Sequence, residues 1–264
     1  MDLRRMSRPL NVGCVSFLNA KPLIYGLEGD RDVRLSLDVP ARLLEGLREE
    51  QYDVALLPVI DYQRMAGLRL LTSGGIGCDG ATLTVRIFSA VPVERIRTLA
   101  CDTDSHTSVA LARIVLSRLY GIRPKFVDLG RPGVTVGGDT ALLLIGDKVV
   151  CEGPTGLPHQ IDLGDAWKRL TGLPFLFAAW IARAGVDLHD LPARLELARH
   201  DGLAHLDEII ARHAVPRGWP AEVAHRYLAE YLKFDVGPDQ LQAVRLFHQY
   251  ASEEGLIDHA PWPV

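Results

Sequence analysis

Asn19, Thr84 and the run Ser105, Thr107 and Ser108 are the side chains whose type and position could do chemistry in this chain. Asn19 follows a short apolar run at 12–17 and precedes Pro22, which sets it in a tight turn between a strand and a helix. Pro22 suits the first helical turn, where its missing N–H has no intrahelical partner, and Leu23, Ile24 and Leu27 supply an apolar face. In an open α/β sheet such a turn lies at the carboxyl end of the strand, where ligands bind, and a helix start attracts anions. An Asn there also serves as a plain cap or Asx-turn, which needs no ligand. Ser105, Thr107 and Ser108 gather hydroxyls and backbone N–H groups at the start of a helix predicted over 109–120. That is the chemistry of a carboxylate cradle or, more simply, of a cap. His106 beside them either adds positive charge or lies at the surface. Thr84 alternates with Leu83 and Val85 in a strand expected over 81–89, and either points at a cleft or is an exposed strand threonine. Gly146 and Asp147 end another strand at the ligand edge. An Asp there repels an anion, so Asp147 is expected to orient a neighbour or support a hinge rather than act as a base.

The elements that must hold these residues alternate between strand and helix. After the first unit, 33–39 alternates as a strand, 40–50 carries Leu43, Leu44 and Leu47 at helical spacing, and 52–57 is a further strand before Pro58. Three strand-plus-helix units in succession imply a parallel sheet with right-handed crossovers. Residues 68–72 read as a short strand. The stretch 73–80 has four glycines, which let the backbone take positive φ or approach a ligand closely. It is not a phosphate loop, because the Lys and following Ser or Thr are missing. Residues 90–93 read as a crossing into a second lobe built from strands at 96–100, 125–129 and 141–145 and helices at 109–120 and 162–170. A long apolar run at 173–183 returns the chain to the first lobe, and helices follow over 191–213, 221–232 and 238–254. This division puts 1–90 and 176–264 in the first lobe and 91–175 in the second.

Composition sets the limits. The 264 residues, 48% of them hydrophobic, suffice for a packed core, and 29 basic against 33 acidic residues give a net charge of −4 with no basic run for nucleic acid. Cys14, Cys78, Cys101 and Cys151 lie far apart with no C-x-x-C pair, as expected of core-packed, reduced thiols in a cytosol rather than a zinc site. His200, His205, His213, His225 and His248 fall in helices without an H-E-x-x-H pattern, so no metal is expected. Residues 1–10 are basic but lack the apolar region of a secretory signal and are expected to be a frayed leader. No segment reaches the roughly 18 uninterrupted apolar residues of a membrane span.

The block Val15-Ser16-Phe17-Leu18-Asn19-Ala20-Lys21-Pro22-Leu23 resembles the opening of the chorismate dehydratase family, which acts in menaquinone synthesis by the futalosine route. Further blocks agree in order: Gly77-Cys78-Asp79-Gly80, Ser105-His106-Thr107-Ser108-Val109, Leu144-Ile145-Gly146-Asp147, and Asp162-Leu163-Gly164 through Trp167 to Thr171-Gly172-Leu173-Pro174-Phe175. The resemblance covers nearly the whole chain and implies an α/β, two-lobed fold like the type II periplasmic binding proteins, with a ligand cleft between lobes. It implies that Asn19 and Thr84 stand at the reacting centre and that Ser16, Ser105, His106, Thr107, Ser108, Gly146 and Asp147 bind substrate. Family members commonly carry Ser where Thr84 stands, which keeps the hydroxyl, and Arg where His106 stands. The implied activity is cofactor-independent loss of water from chorismate, a small dicarboxylate, to give 3-[(1-carboxyvinyl)oxy]benzoate in the cytoplasm. The substrate's own enolpyruvyl carboxylate takes the proton in one reading of the family. Two other functions fit the same fold: a solute-binding protein for a small carboxylate, and the dihydroxynaphthoate synthase of the same pathway. The latter's Ser-Pro-Cys-Pro-Asn-Asp start is replaced here by Val15-Ser16-Phe17-Leu18-Asn19. No nucleic-acid or membrane partner is expected, and the oligomeric state is left open.

Overall fold

The computed structural model describes residues 8–102, 105–154 and 156–258; most of the predicted leader, and Thr103 and Asp104 of the polar turn before Ser105, lie outside them. The chain runs through β1 (Leu10–Val15), a 3₁₀ helix over Leu18–Ile24, β2 (Val33–Asp38), α1 (Pro40–Arg48), β3 (Val54–Pro58), a second 3₁₀ helix over Val59–Arg64 and β4 (Leu68–Cys78). It crosses to β5 (Val85–Ser89), β6 (Thr98–Cys101), α2 (His106–Arg118), β7 (Lys125–Asp128), β8 (Thr140–Ile145), α3 (Asp147–Cys151), β9 (His159–Asp162) and α4 (Leu163–Thr171). It returns as β10 (Phe175–Arg183), then α5 (Leu191–Ala204), α6 (Leu206–Ile209), α7 (Ala221–Arg226), β11 (Leu232–Lys233) and α8 (Pro238–Glu253).

Two sheets form two lobes, ordered β11-β4-β10-β3-β1-β2 and β7-β6-β8-β5-β9. β1 lies between β2 and β3, parallel to both, as its apolar run requires of a strand buried on both faces. β10 runs antiparallel between β3 and β4 and closes the first sheet. In the second, β6 is parallel to β7 and β8, and β5 is antiparallel to β8 and β9.

Three expectations are corrected. The first crossing falls at 79–84 rather than near Ala90, because β5 pairs with β8 and β9 and so already belongs to the second sheet. The strand expected over 68–72 runs on through most of the glycine stretch as β4, in which Gly74 takes the positive φ expected there, as does Gly80 beyond it. A side chain on Gly75 or Gly77 would meet the backbone oxygen of Ala178 or Phe175 at 2.6 Å, so these glycines serve close strand packing against β10. Third, α8 leaves the first lobe and packs on the second. Phe247 meets Trp167 edge-on at 6.1 Å, Arg118 lies over the Tyr250 ring, and Ser117 and Arg123 bond Glu254 at 2.9 and 2.7 Å. The C-terminal helix thereby straps the two lobes together.

The strap reaches the β3–β4 connection of the first lobe through His248. Its Nε2 lies 2.7 Å from the Val59 carbonyl and its Nδ1 3.2 Å from the Gln63 amide nitrogen, a pairing that fits the neutral ring donating from Nε2 and accepting at Nδ1. Burial pushes its pKa from 6.5 down to about 4, against the backbone bond to Val59. The unfolded chain therefore takes up a proton near pH 6.5 that the folded chain refuses until about 4. The neutral ring's contribution is complete above pH 6.5 and is lost as pH falls through that window, at up to ~1.4 kcal/mol per pH unit. Urea unfolding of His248→Gln is expected to vary less between pH 6.5 and 4 than that of the wild type.

Candidate active site

Between the sheets lies a cavity of about 210 Å³. Leu18, Leu56, Ile76, Ile145 and Phe177 give it apolar walls. Its polar groups come from both sides: Asn19, Trp219 and Tyr227 from the first lobe, Ser105, Ser108, Asp147 and Lys148 from the second, and Thr82 and Thr84 from the crossing.

Asn19 is set by the end of β1. Val15 and Phe17, at its end and just past it, line the cavity, whereas Ser16 between them does not. Ser16 is exposed, and its carbonyl accepts from the Arg217 guanidinium at 3.1 Å, so it is not one of the lining residues. The following segment is a 3₁₀ helix with Pro22 inside it, not an α-helix beginning at Pro22. Gly26, at φ +78°, stops it from extending. The Asn19 amide oxygen is buried and has no hydrogen-bond partner among the described residues. A buried acceptor left in that state faces a cost of about 1–3 kcal/mol unless something else satisfies it.

Thr84 is aimed by a strained turn. Leu83 stands at φ +68°, a region costly for a branched side chain, by about 1–3 kcal/mol. Asp162 holds it there. Its carboxylate accepts from the N–H groups of Thr82 and Leu83, each at 2.9 Å, and from Gly164 and Asp165 at 3.0 and 3.3 Å as the cap of α4. Asp162→Ala should leave these donors without their acceptor and lower stability by at least the ~1–3 kcal/mol of one such loss, read from a denaturation midpoint. Thr84 also accepts through its carbonyl from Gly146 N–H at 2.8 Å, and Gly146, at φ +67°, is the residue type that bend requires. The Thr84 hydroxyl donates to the Tyr227 phenol oxygen at 3.0 Å. Burial pushes the phenol up to about 12, against hydrogen bonds from Thr84 and Asn19 that stabilise its anion.

On the second lobe Ser105 is both a cap and a wall. Its hydroxyl accepts from Ser108 N–H at 3.3 Å and pairs with the Ser108 hydroxyl at 3.0 Å, at the start of the thirteen-residue α2. Lys148 brings a cation to the same wall, 2.8 Å from Asp102. His106 and Thr107 do not line the cavity. The His106 ring turns to the buried carboxylate of Asp61 at 3.1 Å, and Thr107 donates to Phe177 O at 3.2 Å while accepting from Ile60 N–H at 3.4 Å. Both pin α2 to the first lobe, at the β3–β4 connection and at β10. Asp147 lines the cavity but accepts from Trp219 Nε1 at 2.9 Å, a bond that joins the two lobes.

The structure thus brings Asn19, Thr84, Ser105, Ser108, Gly146 and Asp147 to one cavity and leaves Ser16, His106 and Thr107 outside it. Four polar lining residues were not among the candidates from the sequence: Thr82, Lys148, Trp219 and Tyr227. Lys148 was within reach, since the strand-end argument that picks Gly146 and Asp147 extends one residue further. Tyr227 looks like an ordinary core aromatic in a helical segment, and Trp219 like one in the connection before it. Among the described residues no group of three or more His, Cys, Asp or Glu side chains converges to hold a metal ion. None of the helices they form is long and apolar enough to cross a membrane. Cys14, Cys78 and Cys101 are buried, Cys151 is exposed, and all four are unpaired.

Among known proteins, a chorismate dehydratase of Thermus thermophilus is 28% identical over 254 residues, covering 89% of this chain and 92% of that one. A crystallised Archaeoglobus fulgidus protein superposes with a TM-score of 0.73 at 16% identity, over 96% of this chain and all of that one. The periplasmic aliphatic sulphonate-binding protein of Escherichia coli does so at 0.64 and 14% identity, over 96% and 89%. These structural likenesses show the fold, the two-lobed periplasmic-binding-protein architecture. The model of a family described as menaquinone biosynthesis matches residues 10–253, nearly the whole chain, and this protein belongs to that family.

Proposed function

We propose that this protein dehydrates chorismate to 3-[(1-carboxyvinyl)oxy]benzoate, without a cofactor and in the cytoplasm. The observation that carries the reading is the cavity itself: Asn19, with its unpartnered amide oxygen, on one lobe and Ser105, Ser108 and Lys148 on the other line one space. Chorismate has two carboxylates and a ring that becomes aromatic when water leaves. The thermodynamics therefore need no redox partner, and the protein's task is to orient and to stabilise charge. One carboxylate pairs with the Ser105 and Ser108 hydroxyls and the Lys148 ammonium, whose charge-assisted bonds are stronger than neutral ones. The apolar walls take the ring. The enolpyruvyl carboxylate, dry and held close, takes the ring proton. Asp147, occupied by Trp219, stays out of the proton transfer and holds the lobes closed. Four unpaired cysteines favour a reducing compartment.

The test is to incubate the purified protein with catalytic excess of chorismate and follow ultraviolet absorbance, with the product identified by mass. Conversion to 3-[(1-carboxyvinyl)oxy]benzoate is expected. The rival reading, a binding protein for a small carboxylate, draws on the fold shared with the sulphonate-binding protein. Chorismate bound stoichiometrically and recovered unchanged would favour it.

A further inference from the structure

The phenol of Tyr227 is buried in a single π turn over Tyr227–Tyr231, lines the cavity and stacks on Trp219 with ring centroids 5.2 Å apart. Its oxygen receives the Thr84 hydroxyl at 3.0 Å and is stabilised by the Asn19 amide. Both of those groups act on the oxygen. Among the described residues nothing accepts the phenol's own proton, and beside it the Asn19 amide oxygen has no donor. An unused donor and an unused acceptor therefore stand on two residues that line one cavity. A ligand hydroxyl both donates and accepts, and it satisfies the two together.

We propose that Tyr227 is the proton donor to the departing hydroxyl, with Asn19 Oδ1 accepting from that hydroxyl and Tyr227 O–H donating to it. The inference rests on the dehydration reading and names a group that reading lacks. The ring C–O bond breaks with its electron pair on oxygen, the oxygen takes the phenol proton, and water leaves. The Thr84 hydroxyl and the Asn19 amide N–H hold the phenolate that results. The proton lost from the ring carbon passes to the enolpyruvyl carboxylate and returns to the phenolate, so the protein ends as it began and no co-reactant is consumed. A phenol near 12 is protonated at neutral pH, and it remains a far stronger acid than water, at about 15.7, so transfer to leaving hydroxide runs downhill. The free atom of Asn19 is an acceptor, so donation to the departing oxygen falls to Tyr227.

Tyr227→Phe removes one oxygen and keeps the ring on Trp219. Expected is a kcat for chorismate at least about 100-fold lower, as for loss of a general acid. The affinity for 3-[(1-carboxyvinyl)oxy]benzoate, which has no leaving hydroxyl, should stay within about threefold of the wild type by calorimetry, a split that a merely structural role does not give. Tyr227→Phe turning over like the wild type overturns the proposal, and so does a variant that loses product affinity along with turnover. Wild-type protein that leaves chorismate intact overturns the dehydratase reading itself, a result distinct from either.

Discussion

The Asn19→Ala protein is expected to fold with wild-type stability and to turn over chorismate at least about 100-fold more slowly, the scale of losing one preorganised polar contact to a reacting oxygen. Stability and activity part here for a physical reason. The Asn19 oxygen is buried without a partner, so its removal takes no oxygen-side hydrogen bond from the ligand-free fold and relieves an unsatisfied acceptor. What the fold does lose is the amide that helps hold the Tyr227 phenol, and Thr84 still donates to that oxygen at 3.0 Å. A thermal midpoint unchanged or slightly raised, together with a collapsed kcat, is the expected pair of readings. A near-normal rate would remove Asn19 from the chemistry.

The second large effect concerns the opposite wall. Lys148→Met should raise KM for chorismate by about 10–100-fold and change kcat less, since a hydrogen bond to a charged group is worth about 1.5–3 kcal/mol. Ser105→Ala should act in the same direction and also cost about 1 kcal/mol of stability, because its hydroxyl caps α2 through Ser108 N–H. Thr107→Ala is the control. Thr107 does not line the cavity and its hydroxyl ties α2 to the backbone of Phe177 and Ile60, so stability falls without a selective change in KM. Sequence alone expects Ser105 and Thr107 to behave alike; steady-state kinetics on both variants separates them.

Much of the architecture follows from local patterns. The apolar run before Asn19, the helix with Leu111, Ile114 and Val115 inward, and the alternation of strand and helix report backbone periodicity, which burial on one face enforces. The crossing between lobes was misplaced because strand pairing is a long-range choice. Thr82 and Thr84 look like part of one strand with Val85, whereas Asp162, some eighty residues on, claims the N–H groups of Thr82 and Leu83 and bends the chain there. α8 was assigned to the wrong lobe for a similar reason: an amphipathic helix shows which face it buries but not against what. Within the site, Asn19, Thr84 and Ser105 were legible because turns and helix starts expose polar groups in predictable places. Tyr227 was not, because an aromatic residue at helical spacing is the ordinary signature of a core, and only its neighbours Asn19 and Thr84 give its hydroxyl a task. His106 shows the converse. A histidine at a helix start beside hydroxyls suits an anion site, yet the buried Asp61 carboxylate takes its ring at 3.1 Å.

A crystal structure of the protein with 3-[(1-carboxyvinyl)oxy]benzoate bound tests the central claim most directly, that one dicarboxylate is gripped from both lobes at once. The account predicts a carboxylate within hydrogen-bond distance of Ser105 or Ser108 and Lys148, and the ring against Asn19 and Tyr227 with Trp219 still bonded to Asp147. Product lodged outside this cavity, or with both carboxylates turned from the Ser105 wall, would contradict it.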